Sequence, residues 1–226
     1  MSAKKLNIVI AGATGFVGLD LIKFLSNHPK VKIKYLCAQK NIGKKIQYFD
    51  KRITKNLPKI SKLKSVDWTI IDILFTALPN GESQIICKNL ANKKLKIIDL
   101  SADFRLSDSS VYKKFYGREH MAKKLIKNSI YALSEFTKSK LIKFKIIACP
   151  GCYPTSIQLP LIPLLKKNLI NNKNIIIDSK SGYSGAGKNL KKKFKHKNIF
   201  SSIHAYGTYK HRHISELDQE LNKASN

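Results

Sequence analysis

The sequence predicts an α/β protein whose first domain is built on a parallel sheet. Two observations carry this prediction: short apolar runs alternate with stretches of helical periodicity, and a glycine-rich turn directly follows the first apolar run. Parallel neighbouring strands need a crossover connection, and the helical stretches supply it. We therefore expect the ligands to bind at the carboxyl ends of the strands.

The predicted elements follow in order along the chain. Strand, glycine turn, helix and strand open the chain, and this unit is typical of a Rossmann-type dinucleotide-binding domain. Its predicted strands are 6–11, 32–37, 72–77, 96–100 and 143–148, and its predicted helices are 19–25 and 82–92. A helix at about 156–168, a strand at Asn174–Ser179 and a last helix from about Ser215, where Ser215 and Asp218 have capping-box spacing, predict a smaller α+β domain. We place the boundary between 1–151 and 152–226, which leaves the second domain short of a typical independent one.

Composition narrows the function classes. The chain has 226 residues, 43% of them hydrophobic, and a net charge of +29. Such a charge invites a nucleic-acid partner, yet Arg supplies only four of the 43 basic residues, and abundant Lys, Ile and Asn reflect A/T-rich coding. Base-reading proteins favour Arg for bidentate contacts. We expect no specific nucleic-acid binding, and a basic nucleic-acid-binding module remains an alternative.

The cellular setting is predicted from what the sequence lacks. No apolar stretch is long enough to cross a membrane, and the first residues hold no apolar signal segment. The four cysteines do not form the pattern of a secreted disulfide framework, and Cys37 and Cys87 lack the paired spacing of a zinc site. We therefore expect a cytoplasmic protein with no metal and no membrane partner.

The glycine turn predicts a dinucleotide site. Gly12, Gly15 and Gly18 lie between the first strand and an amphipathic helix, where a backbone without side chains can approach a pyrophosphate. A tight turn without a ligand is the alternative. No Asp or Glu follows the second strand, and Lys40 there suits a ribose 2′-phosphate, which favours NADP(H).

Cys152 is the candidate nucleophile. It follows a Pro-Gly turn at the predicted start of a helix, where unpaired backbone N–H groups favour a thiolate. A small buried cysteine is the alternative, and the Cys149/Cys152 CxxC spacing also fits a redox site. His211 and His213 are candidates for proton transfer. Arg105 suits a carboxylate or phosphate, or a local ion pair with Asp99 or Asp103.

Together these motifs resemble the family of N-acetyl-γ-glutamyl-phosphate reductase, which is related to aspartate-semialdehyde dehydrogenase. Six segments carry the resemblance in the order of that family and span essentially the whole chain: Gly12–Gly18, Ala77–Ser83, Leu100–Arg105, Pro150–Thr155, Ser181–Lys188 and His211–His213.

The resemblance implies an NADPH-dependent enzyme of arginine biosynthesis. It would reduce N-acetylglutamyl 5-phosphate, a small-molecule acyl phosphate, to N-acetylglutamate 5-semialdehyde and phosphate through a thioester on Cys152. His211 or His213 would be the general acid/base, with His211 slightly favoured. The implied cofactor-binding residues are Gly12, Thr14, Gly15, Phe16, Val17, Gly18, Lys40, Asn80, Ser184 and Gly185. The implied substrate-binding residues are Ser101, Arg105, Gly182 and Lys188.

The chain departs from the family pattern in three places. Cys149 stands where an Asn commonly precedes the Pro-Gly-Cys turn, and Gln39 stands where an Arg is often seen. Family members also continue past the last helix, so we expect a fragment with an incomplete catalytic and dimerisation domain, whereas full-length relatives would be homo-oligomers. A reductase of aspartyl or carrier-bound aminoadipyl phosphate, and an inactive cofactor-binding fragment, are the alternative functions.

Overall fold

The computed structural model describes residues 4–171, 173–188 and 202–225. The chain divides into two compact units, Met1–Phe104 with Met121–Cys149 and Arg105–His120 with Pro150–Asn226. The predicted boundary at 151/152 lies close to the last crossing between the units. The segment Arg105–His120 differs from that prediction, because it belongs to the second unit although sequence analysis placed it in the first domain.

The first unit is a seven-stranded sheet in which every pair of neighbouring strands is parallel. The strand order is β3-β2-β1-β4-β5-β7-β6. The strands are β1 Leu6–Ala11, β2 Val31–Cys37, β3 Ile60–Ser61, β4 Ile73–Thr76, β5 Lys96–Asp99, β6 Ser129–Tyr131 and β7 Ile146–Ala148. The helices of this unit are α1 Phe16–Ser26, α2 Glu82–Asn89, α4 Lys123–Ile126 and α5 Ser134–Thr137. The predicted parallel α/β class is confirmed.

The sheet has apolar packing on both faces, which explains why strands such as β4 and β7 are almost entirely apolar. Successive side chains of β1 point to opposite faces. Ile8 and Ile10 belong to one buried cluster, which includes Leu19 and Ile22 of α1. Val9 belongs to the other, which includes Cys87 of α2 and Leu90 directly after that helix. The five strands predicted from sequence are the five central ones, whereas the unpredicted β3 and β6 are two- and three-residue edge strands.

The described part of the second unit is built on three helices, α3 Ser109–Tyr116, α6 Cys152–Lys166 and α7 His213–Ser225. Helix α6 packs against α7. Among the described residues no helix is long and apolar enough to cross a membrane.

Helix α6 begins earlier than predicted and runs through two prolines. It starts at Cys152 rather than near residue 156 and continues through Pro160 and Pro163. Each of these prolines removes one intrahelical N–H donor. Both lie on the exposed face, as do Ser156 and Leu159, whose carbonyls lose those donors and can bond to water instead.

Two predictions in the second domain are wrong. No strand forms at Asn174–Ser179, where Ile176 is 94% exposed, because the described residues of this unit offer no second strand to pair with it. The last helix begins at His213, so Ser215 is inside it and its hydroxyl donates to the Arg212 carbonyl at 2.7 Å. Most of the lysine-rich stretch 188–197 lies outside the described residues.

The tight packing at Gly12 leads to a prediction about the free energy of unfolding. Gly12 has a φ of +87°, and a Cβ there would overlap the carbonyl oxygen of Ala77. Gly43 has a similar φ of +82° with no atom near its Cβ position. We expect Gly43→Ala to lower the free energy of unfolding by about 1 kcal/mol and Gly12→Ala by about 3 kcal/mol or more, measured by urea denaturation. Equal losses would contradict the close approach at Gly12.

Candidate active site

The thiol of Cys152 is exposed at the first position of α6. Gly151 precedes it as the helix N-cap with extended backbone angles, φ −70° and ψ 166°. By contrast Cys37 and Cys87 are buried, and burial raises the pKa of both thiols. Cys152 is therefore accessible to a substrate and lies where the unpaired N–H groups of a fifteen-residue helix favour an anion.

The two candidate histidines lie against the start of α6. Their rings are 4.8 Å apart, and the ring of Tyr153 is 5.5 Å from that of His211 and 6.0 Å from that of His213. A Cβ on Gly151 would overlap the Nε2 atom of His213. The turn Pro150-Gly151-Cys152 and the His211–His213 motif, which begins 59 residues after Cys152, therefore form one cluster of the second unit.

 The structure thus places Gly151 and Tyr153, the two neighbours of Cys152 in the chain, against His211 and His213.

The two histidines differ in their electrostatic surroundings. Burial, with the nearby charges of Arg105 and Arg212 and the neighbouring His211, lowers the pKa of His213 to about 4. Burial and Arg212 also lower the pKa of His211 below its usual 6.5. His213 is therefore neutral near pH 7. Its pKa is far below the working pH, whereas a residue that transfers protons efficiently has a pKa close to that pH. Its backbone N–H donates to Nδ1 of His211 at 3.3 Å, so the proton of the neutral His211 ring is on Nε2.

Arg105 pairs with a residue that sequence analysis did not single out. Its Nη1 atom donates to Oε1 of Glu216 at 3.0 Å, and the other carboxylate oxygen accepts the Gly151 N–H at 3.0 Å. Glu216 has no solvent exposure and Arg105 has 8%. Sequence analysis left a local ion pair with Asp99 or Asp103 as the alternative for Arg105, whereas the structure pairs Arg105 with Glu216 across 111 residues.

Asp103 instead caps α2 in the first unit. Its carboxylate accepts the N–H groups of Gly81 at 2.7 Å and Gln84 at 3.2 Å, together with Nδ2 of Asn80 at 2.8 Å. Since the N-cap residue Gly81 has no side chain, Asp103 supplies the acceptor that the helix start needs. The side chain of Asn80, a predicted cofactor-binding residue, is held in place by this contact.

Ser101, a predicted substrate-binding residue, lies in the buried turn after β5. Its hydroxyl oxygen accepts the N–H of Asp103 at 3.1 Å, and its own N–H donates to Asp99 at 3.0 Å. Asp99 also accepts the Thr76 hydroxyl at 2.7 Å, and its burial raises the pKa of its carboxyl group. Ser101 therefore stabilises the loop that follows β5 in the first unit.

The glycine turn of the first unit forms a cradle that a dinucleotide fits. Gly15 is the N-cap of α1 in an extended conformation, and its N–H donates to the Gly12 carbonyl at 3.0 Å. A Cβ at Gly18 would overlap that same carbonyl, so the turn packs tightly against the helix. Phe16 and Val17 are 45% and 53% exposed although they are apolar. An open helix start without side chains is what a pyrophosphate requires.

The residues after β2 are exposed. Nε2 of Gln39 donates to Glu82 at 3.3 Å, and the side chain of Lys40 lies in solvent. Lys40 is thus available to a 2′-phosphate, which remains a prediction. Among the described residues no group of three metal-ligating side chains could hold a metal ion.

The glycine-serine loop of the second unit is exposed at Gly182, Ser184, Gly185 and Lys188. A chain of aromatic contacts leads from this loop to the histidines. The ring of Tyr183 is 6.2 Å from that of His204, which is 6.5 Å from Tyr206, and Tyr206 is 5.2 Å from His211. The loop predicted to bind substrate and cofactor is therefore linked to the His211–His213 motif.

Glu216, Tyr153 and Tyr206 are the members of this cluster that sequence analysis missed. Glu216 follows His213 by three residues, so both lie on the same side of α7, and this spacing was the one available signal. The local sequence says nothing about Gly151 or Arg105 as partners of Glu216, because those contacts join distant parts of the chain.

Comparisons with known proteins agree with this arrangement. The family model described as "Semialdehyde dehydrogenase, NAD binding domain" matches residues 7–143, and that described as "Semialdehyde dehydrogenase, dimerisation domain" matches residues 152–226. Aspartate semialdehyde dehydrogenase II from Vibrio cholerae covers 99% of this chain and 67% of its own with a TM-score of 0.67, and at 17% identity this likeness shows the fold alone.

Relatives at higher identity carry a more specific name. A probable chloroplastic N-acetyl-gamma-glutamyl-phosphate reductase of Oryza sativa subsp. japonica is 42% identical over 99% of this chain and 54% of its own length. The N-acetyl-gamma-glutamyl-phosphate reductase of Afipia carboxidovorans is 43% identical over 99% of this chain and 65% of its own length. The chain thus spans between about half and two thirds of these relatives. With a family model matched over more than half of its residues, the chain belongs to the semialdehyde dehydrogenase family.

Proposed function

We propose that the chain carries out the NADPH-dependent reduction of N-acetylglutamyl 5-phosphate to N-acetylglutamate 5-semialdehyde and phosphate, a step of arginine biosynthesis. The observation that carries the proposal is the exposed Cys152 thiol at the start of α6, beside a turn packed against His213 and Arg105. The 42–43% identity to N-acetyl-gamma-glutamyl-phosphate reductases supports this substrate over other acyl phosphates.

In this proposal the Cys152 thiolate attacks the acyl carbon of the substrate. The carbon–sulfur bond forms, the bond to the phosphate oxygen breaks, and phosphate leaves with the electron pair, which gives a thioester. The backbone N–H groups at the start of α6 face the charge that develops on the acyl oxygen. NADPH, when bound, supplies the hydride that reduces the acyl group.

His211 is the proposed proton-transfer residue. Its neutral ring carries the proton on Nε2 while Nδ1 accepts the N–H of residue 213, so the ring takes up a further proton at Nδ1 by giving up that hydrogen bond and can then donate the proton on Nε2. His213 is the neutral neighbour that packs against Gly151. Arg105, with Ser101, Gly182 and Lys188, would bind the substrate's anionic groups.

The proposed cofactor site is the cradle of the first unit, and Ser184 and Gly185 of the glycine-serine loop remain predicted cofactor-binding residues. The residues proposed to hold NADP(H) are Gly12, Thr14, Gly15, Phe16, Val17, Gly18, Lys40, Asn80, Ser184 and Gly185. The match to a dimerisation domain supports a homo-oligomer, and the biosynthetic role supports a cytoplasmic location. Both belong to the proposal.

The activity itself is tested in the reverse direction. We expect the purified chain to reduce NADP in a phosphate-dependent manner with N-acetylglutamate semialdehyde, followed at 340 nm, and to do so poorly with aspartate semialdehyde. Cys152→Ser is expected to lower kcat by about 1,000-fold or more, because a hydroxyl is a far weaker nucleophile. Cys149→Ala is the control and retains activity within a few-fold. Turnover by Cys152→Ser, or none by the folded wild-type chain, would contradict the proposal.

The assignment of the two histidines is tested by NMR titration. We expect His211 to titrate below 6.5 and His213 at about 4. Because Arg212 lowers the pKa of His211, Arg212→Gln is expected to raise it, and the low-pH limb of the rate profile should move upward with it. Lys210→Gln removes a neighbouring charge and serves as the control. A His211 midpoint above 6.5 in the wild type would refute the assignment.

The packing of the turn is tested by Gly151→Ala. The new Cβ would lie 2.8 Å from Cδ2 of His213 and 2.9 Å from Nη1 of Arg105, so both side chains must move. We expect kcat/KM to fall by about tenfold or more, since a small displacement of reacting groups is costly. Gly117→Ala, in the same unit with no atom near its Cβ position, is the control. Unchanged kcat/KM in Gly151→Ala would show that the turn tolerates the displacement.

A further inference from the structure

The carboxylate of Glu216 is bonded on both sides to groups that flank the candidate thiol. Oε1 accepts from the Arg105 guanidinium and Oε2 accepts from the N–H of Gly151, the residue before Cys152, each at 3.0 Å. Oε1 is also 3.8 Å from Nε2 of His213. One buried side chain of α7 is therefore joined to the loop at residue 105 and to the turn that begins α6.

Such a buried pair is a poor source of stability. Removing a carboxylate and a guanidinium from water costs several kcal/mol, which their attraction offsets only when further hydrogen bonds complete the site. An apolar pair of similar volume would fill this space at least as well. The charge of Glu216 and its bonds on both sides indicate instead that it positions the groups it contacts.

We propose that Glu216 is the positioning residue of the thiol site, a role that rests on the proposed function of Cys152. It holds the Gly151 N–H, and so fixes the direction in which α6 begins and the Cys152 side chain leaves the turn. It also holds the Arg105 guanidinium and balances its charge.

The hydrogen bond from Gly151 to Glu216 determines which backbone N–H groups at the start of α6 remain available to a substrate. The Gly151 N–H is occupied by Glu216, Pro154 has none, and the N–H of Thr155 donates to the Gly151 carbonyl at 3.0 Å. The N–H groups of Cys152 and Tyr153 are the first two donors of α6 and have no acceptor within the helix. Because Glu216 occupies the Gly151 N–H, these two N–H groups are the donors left to stabilise the negative charge that develops on an acyl oxygen.

The balance of charge is the part that a titration detects. The titratable and charged groups around Glu216 and the start of α6 are Arg105, Tyr116, Cys152, Tyr153, Tyr206, His211, Arg212 and His213. Among these groups Glu216 is the carboxylate and Arg105 and Arg212 are the guanidinium cations, while the pKa values of both histidines are lowered. Removing the carboxylate leaves Arg105 unopposed and stabilises a thiolate at Cys152.

The experiment is the pH dependence of Cys152 alkylation by iodoacetamide, followed by mass spectrometry of the Cys152 peptide. Compared with the wild type, Glu216→Gln is expected to lower the midpoint of the alkylation profile by about one pH unit, since Gln keeps an acceptor for Gly151 but lacks the charge. The control variant is Glu220→Gln. Glu220 lies one turn further along α7, where it pairs with Lys223, and its replacement is expected to leave the midpoint of the alkylation profile unchanged.

An unchanged midpoint in a folded Glu216→Gln variant would overturn the proposal, because a purely structural role alters stability without shifting the thiol titration. If circular dichroism shows that Glu216→Gln does not fold, Arg105→Gln carries the test, with a midpoint expected to rise. No rise would overturn the proposal as well. The readout needs no turnover, so an inactive chain with the expected shifts would count against the proposed function and not against the role of Glu216.

Discussion

The buried contact of Glu216 with Arg105 and Gly151 is the interaction on which the site of the second unit depends. It joins three segments that are far apart in sequence, and its bond to the Gly151 N–H holds the turn directly before Cys152. Because the carboxylate has no access to water, its two partners must stay in place to satisfy it. The position of the thiol and the position of the Arg105 charge are therefore fixed together.

This constraint also explains how the two histidines differ. His213 lies 3.8 Å from the Glu216 carboxylate, a distance at which an anion would ordinarily favour the protonated ring. Its pKa is nevertheless lowered to about 4, because burial and the Arg105 charge outweigh that attraction. His213 is the neutral neighbour of Gly151, and proton transfer by His211, the more weakly perturbed of the two, stays a prediction.

The parts of the fold that could be predicted from sequence are those fixed by local pattern. The central strands are continuous apolar runs, and the turn Gly12–Gly18 follows from the need for glycine at a positive φ and at a close approach to Ala77 and α1. The edge strands β3 and β6 escaped prediction because two or three residues carry no periodicity. The strand predicted at Asn174–Ser179 does not form. A strand needs a neighbouring strand to hydrogen-bond with, and the local sequence does not show whether there is one.

The candidate site divides in the same way. Cys152, His211 and His213 could be named from residue type and from the start of a helix, whereas Glu216 could not, since its role comes from Arg105 and Gly151, 111 and 65 residues away. Arg105 was recognised as a group for anions, with a local ion pair to Asp99 or Asp103 as the alternative. Those carboxylates are instead bonded within the first unit, Asp103 at the start of α2 and Asp99 to Thr76 and Ser101.

The central claim is that Cys152 attacks the acyl phosphate, and the most direct test is to trap its product. The chain would be incubated with N-acetylglutamyl phosphate, generated in place by a kinase, without NADPH, then quenched in acid and mapped by peptide mass spectrometry. We expect an N-acetylglutamyl adduct on the Cys152 peptide that hydroxylamine removes. An adduct on Cys149, or a folded chain that binds NADP yet acquires no adduct, would contradict it.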